Sequence, residues 1–90
     1  MPPSDPTPYK PVACSFYDVL EAAAFRKHPV ILVLEDRSVE SVLLDVYAKG
    51  TEEFLSAREI ASGKPFTLRL DAVRRIIDPT TNTTYAPDHC

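Results

Sequence analysis

Glycine is almost missing from this chain: Gly50 and Gly63 are the only two among 90 residues. Two isolated glycines cannot build a Gly-rich loop around a phosphate, which excludes the nucleotide folds that depend on one. Soft metal ligands are equally scarce. Cys14, Cys90, His28 and His89 form no pair at zinc-ligand spacing, so no metal site is expected. Nor does any serine or cysteine stand with a histidine base in a recognisable nucleophile arrangement, since both histidines lie beside flexible or terminal segments. Neither enzyme activity nor a cofactor is expected. Basic clusters are lacking too. Ten Lys and Arg face thirteen Asp and Glu, a net charge of -3, which argues against a general nucleic-acid binder that must displace phosphate counterions. Long apolar runs are absent, and with them any membrane-spanning helix. The first residues, Met1-Pro2-Pro3-Ser4-Asp5-Pro6, lack the basic and apolar regions of a secretory signal. The expectation is a cytoplasmic protein with reduced thiols instead of a disulfide.

What is present suits one small domain. Ninety residues hold a single core, and 44% apolar with 26% charged residues is an ordinary globular balance. Five of the nine prolines fall in residues 1–11, which read as a mobile proline-rich tail. A helix is predicted at about 15–28. Ser15 is its expected N-cap and Asp18 its capping-box acid, Arg26 and Lys27 suit its C-terminal dipole, and Pro29 stops it. The hydrophobic period then changes from helical to alternating. Strands are predicted at 30–34, 39–48, 53–60, 66–70 and 73–77, with turns at 35–38, 49–51 and 61–64. Val42, Leu44 and Val46 are expected to face inward in the second strand, and Phe66, Leu68 and Leu70 in the fourth. Asp71 is read as the cap of the turn after it. Residues 79–90 read as a second loose tail.

The resulting fold class is mainly β with one N-terminal helix: a small, bent, five-stranded antiparallel barrel of Sm-like or SH3-like type, capped by the helix. The ordered domain is expected at 12–78. At about 100° per residue, Phe16, Val19, Leu20 and Ala23 form the stripe that packs on the barrel, with Lys27 closing it. Tyr17, Asp18, Glu21 and Phe25 then point outward. A plain solvated face would show Lys, Glu, Gln and Arg; rings and carboxylates together suit a basic partner. Each also has an ordinary reading, with Asp18 as a capping acid, Glu21 as a solvated residue, Tyr17 leaning on the rim and Phe25 under the proline-rich tail. Cys14 is expected to be buried, His28 to be a helix-end cation, and Arg69, Arg74 and Arg75 to be salt-bridged on the sheet.

Several words of the sequence occur in an order that resembles the Rho-binding antiterminator family, the Rof-type proteins of Sm-like fold. They are Tyr9-Lys10-Pro11-Val12-Ala13-Cys14, Tyr17-Asp18-Val19-Leu20-Glu21, Asp45-Val46-Tyr47, Glu53-Phe54-Leu55 and Leu68-Arg69-Leu70-Asp71 with Ile76, covering about residues 9–78. The resemblance implies a non-catalytic regulator that occupies the primary RNA-binding site of the termination factor Rho. By position it implies contacts from Tyr17, Asp18 and Glu21, and from Lys49 in the loop after strand two. Where well-known members carry an Asp pair before the Tyr-Asp motif, this chain has Ser15-Phe16. Two fewer charges weaken steering by about 1 kcal/mol or less per exposed pair. The alternatives are an Sm-like RNA-binding module, against which the Asp71-Ala72-Val73 loop and the acidic balance argue, and an acidic adaptor for another basic partner. A monomer is expected, although free strand edges always offer a route to pairing.

Overall fold

Pro29 ends the helix as its chemistry requires, two residues short of the expected 28. In the computed structural model, which describes residues 12–87, helix α1 spans Cys14–Arg26 and closes on Lys27, a left-handed C-cap whose N–H bonds Ala23 O at 2.9 Å. Its start corrects the expected cap. Ala13 is the N-cap, without a side-chain bond, and its carbonyl accepts from the N–H groups of Phe16 and Tyr17, both at 3.0 Å. Ser15 is therefore already inside the helix, and Asp18 lies beyond the first turn, where a capping box has no use for it.

Six strands follow, one more than expected: β1 Pro29–Val33, β2 Ser38–Lys49, β3 Glu52–Glu59, β4 Pro65–Arg69, β5 Arg75–Asp78 and β6 Thr83–Tyr85. All neighbouring strands pair antiparallel, in the order β4-β3-β2-β1-β5-β6. Among the described residues the ladder is open, with β4 and β6 at its edges, so the expected bent five-stranded barrel gives way to an open six-stranded sheet. The coarser class, mainly β with one helix, holds. Gly50 and Gly63 sit at φ +64° and +72° in the turns after β2 and β3, the conformation for which glycine has no steric penalty.

β6 arises inside the stretch read as a loose tail. Tyr85 pairs with Ile76, Thr84 with Ile77 and Thr83 with Asp78. The turn is closed by the Thr80 N–H donating to Asp78 Oδ1 at 2.9 Å and by left-handed Asn82 at φ 56°. Tyr85 packs against the core, which gives this short strand its anchor.

The face of β2 that turns inward differs from the simple alternation. Val39, Ser41 and Leu43 are buried, then Val46, with Leu44 only half-buried. The register explains it: Leu43 pairs with Ala57 and Asp45 with Ser56, leaving Leu44 as the extra residue of a β-bulge. One inserted residue reverses which side chains face the core on either side of it. Ser41, carried inside by this register, donates its hydroxyl to Val39 O at 3.3 Å.

Phe16, Leu20, Ala23 and Ala24 of α1 pack onto Val30, Leu32, Leu43, Val46, Leu55, Ala57 and Ile76. Val19, half-buried at the helix flank, packs against this core as expected, and Ala24 joins it as an additional buried residue. Phe66 and Leu68 of β4 do pack on the core. After them a 3-10 turn, Leu70–Ala72, buries Leu70 and Val73 and delays β5 to Arg75. Asp71 does not cap that turn. Its carboxylate grips Arg69, whose Nε donates to Oδ1 at 2.8 Å and whose Nη2 donates to Oδ2. Arg69, expected outward, is buried, and its Nη1 reaches Glu52 Oε2 at 3.3 Å. No helix among the described residues is long and apolar enough to cross a membrane.

Candidate functional site

The helix lies on the sheet with two different flanks. One, carrying Tyr17, meets β2 and β3; the other, carrying Val19, Ala22 and Arg26, meets β1, β5 and β6. Between them, facing solvent, stand Asp18, Glu21 and Phe25, all exposed. Phe25 is 89% exposed, far beyond an ordinary phenylalanine. Whether residues 1–11 reach it lies outside the described residues.

Tyr17 departs from the outward position expected for it. It is half-buried and its ring packs against the core. Its hydroxyl pKa is raised above the ordinary value, first by burial and then by the charges of Glu21, Glu53 and Asp45. One phenol thus gathers carboxylates from α1, β3 and β2. Two of these acids also brace backbone. Asp45 Oδ1 accepts from the Val46 N–H at 2.9 Å, and Glu53 Oε1 accepts from the buried Val12 N–H at 3.2 Å. Two shallow grooves run along this side of α1, and the ring lines the first. Val12, Cys14, Tyr17, Asp18 and Glu53 line one; the other lies between Glu21, Ala24, Phe25 and Lys27 of the helix end and Leu44, Asp45 and Val46 of the bulge.

The structure therefore brings Tyr17, Asp18, Glu21 and Phe25 to one side of the molecule. Lys49 lies apart, at the end of β2 opposite Glu52, and lines neither groove. Sequence reasoning missed Asp45 and Glu53 as members of the site. The pairing Ala48↔Glu53 and the bulge before Asp45 carry them to the helix, and no local pattern announces that. It missed as well the stacked pair Tyr47–Phe54, with ring centroids 5.6 Å apart and planes at 23°.

Cys14, expected to be buried, is an exposed free thiol on the first residue of α1. His28 lies past the helix, and its Nε2 stands 3.4 Å from Asp78 Oδ2, an ion-pair distance without hydrogen-bond geometry. Of the three arginines expected in salt bridges, Arg69 pairs with Glu52 and Asp71, and Arg74 meets Glu35 at 3.6 Å on the surface. Arg75 makes none among the described residues. No group of three metal-ligating side chains occurs among the described residues. Cys90 and His89 fall outside them. No family model and no curated protein matches the chain.

Proposed function

We propose that this chain is a non-catalytic, cytoplasmic regulator that binds the termination factor Rho through the Tyr17 side of α1 and keeps RNA out of Rho's binding site. An Sm-like arrangement of the sheet and a monomeric state belong to the same reading. One observation carries it: Asp18 and Glu53 line a groove with Tyr17, and Glu21 and Asp45 line a second one with the exposed Phe25. Carboxylates spaced along a surface answer a cleft built for phosphates, and a projecting ring suits a slot built for a base. Where well-known members of the Rho-binding antiterminator family carry an acid pair before the Tyr-Asp motif, this chain has Ser15 and Phe16. Phe16 occupies the core and Ser15 is neutral, but Asp45 and Glu53 bring two charges to the same region from the sheet. Lys49, away from the grooves, is at most a peripheral contact.

Reversing the charges with Asp18→Lys and Glu21→Lys tests this. Both side chains are exposed, so the melting temperature is expected to hold while capture of purified Rho falls by at least tenfold, about 1.4 kcal/mol. Undiminished capture by a folded double variant would refute the surface. A gel shift with single-stranded RNA at two salt concentrations separates the alternative, because saturable, salt-sensitive binding by this chain alone would make it an RNA module instead.

A further inference from the structure

On the far flank of α1, a cleft opens between the helix and the β1, β5 and β6 strands. Val19, Ala22, Ala23, Val30, Ile76 and Tyr85 form its apolar wall, and Arg26, His28 and Asp78 its polar rim. Its volume is about 100 Å³, roughly two thirds of an apolar cavity that encloses a whole benzene ring, ~150 Å³, and its open mouth leaves the rest of a ligand outside. The cleft exists because β6 folds back onto β5 and brings Tyr85 opposite Ile76.

The rim carries an asymmetric set of charges. Asp78 is already engaged: it accepts from the Thr80 N–H at 2.9 Å and stands 3.4 Å from His28 Nε2. Burial alone would raise its pKa, but these partners and the Thr81 N–H hold the carboxyl below the ordinary range. Arg26 is different. Its neighbours one turn back are Ala22 and Ala23, and it makes no ion pair among the described residues. His28 Nε2 is buried at the rim with no hydrogen-bond partner there. One guanidinium without an ion pair and one imidazole nitrogen that faces Asp78 without a hydrogen bond thus stand beside an apolar hole, and a guanidinium fits a carboxylate as a planar fork.

We propose that this cleft is a binding site for a small carboxylate with an apolar body, such as an aromatic or branched aliphatic acid. The body enters between Val19, Ala23, Val30 and Ile76. The carboxylate stays at the mouth on Arg26, where His28 donates a second bond when Nε2 bears hydrogen. A few polar groups converging on an apolar recess is the usual make-up of a small-molecule site.

Benzoate is the probe, titrated into the full chain and followed by the methyl signals of Val19, Ala22, Val30 and Ile76. Saturable shifts are expected with a Kd of about 1 mM, the order for a ligand of this size. Benzyl alcohol and benzylamine, which share the ring, are expected to bind roughly fivefold or more weakly. Arg26→Gln is expected to weaken benzoate by about fivefold and leave benzyl alcohol unchanged. Ala22→Leu, a helix-compatible change at the half-buried cleft wall, is expected to abolish binding of both. Absence of saturable methyl shifts, equal affinity for the three probes, or full binding by folded Ala22→Leu would each overturn the proposal.

Discussion

Removing Asp71 takes the bidentate partner from a buried cation, and the cost follows from the geometry around it. Arg69 is 9% exposed while Asp71 and Glu52 are 33% and 26% exposed. Asp71 holds the guanidinium through two parallel bonds and Glu52 through one at 3.3 Å. In Asp71→Ala the arginine loses its bidentate partner and keeps the longer contact to Glu52. Hydrogen bonds to charged groups contribute about 1.5–3 kcal/mol, and breaking a fully buried pair costs about 3–5. The partial exposure of Asp71 and the surviving Glu52 place the expected loss near 2 kcal/mol. For a domain of this size that lowers Tm by about 8–16 °C. Arg69→Met removes the charge, fills the space with an apolar chain and leaves two acids that reach water. It is expected to cost about 1 kcal/mol, and the double variant about the same. Calorimetric melts of the four proteins check the cycle. An Asp71→Ala melt within about 3 °C of the wild type, or a larger loss in Arg69→Met than in Asp71→Ala, would refute the reasoning.

Leu20 is fully buried at the centre of the helix stripe, so Leu20→Ala is expected to cost about 3 kcal/mol in urea unfolding, and less than 1 would mean the helix is not the lid of this core. Tyr17 keeps its proton in the folded state beyond its ordinary pKa of 10.0. The stability tied to it is therefore intact below that value and fades as pH climbs past it toward the raised folded pKa. Phenolate absorbance should show Glu21→Gln titrating closer to the ordinary value, and an unmoved curve would remove Glu21 from the cluster. Asp78 behaves oppositely. Its folded pKa lies below the ordinary 3.8, so its stabilisation is present above that value and disappears as pH falls through the folded one. Melts of wild type and Asp78→Asn should converge in strong acid, and a constant gap across the acid range would refute the assignment.

Phe25 and Tyr17 show how one helical period yields both a correct and an incorrect expectation. Eighty degrees around the helix separates them, enough to leave Phe25 in solvent while Tyr17 tips onto the sheet. An angle measured along one helix places faces; it does not say how wide the neighbouring sheet is. Cys14 is a similar case. Its residue type favours burial, yet it is the first residue of the helix, after the N-cap Ala13, and its thiol is exposed.

The chain's local chemistry determined the one helix, its halt before Pro29, the apolar β1 run, the left-handed turns at Gly50 and Gly63, and the exposed acids of α1. These follow from steric limits and periodicities that act over a few residues. Tertiary structure alone decided the bulge at Leu44, the docking of β6 on β5, the burial of Arg69 between two acids and the gathering of Asp45 and Glu53 about Tyr17. Each depends on which strand lies beside which and in what register, and that is settled by contacts between residues far apart in the chain.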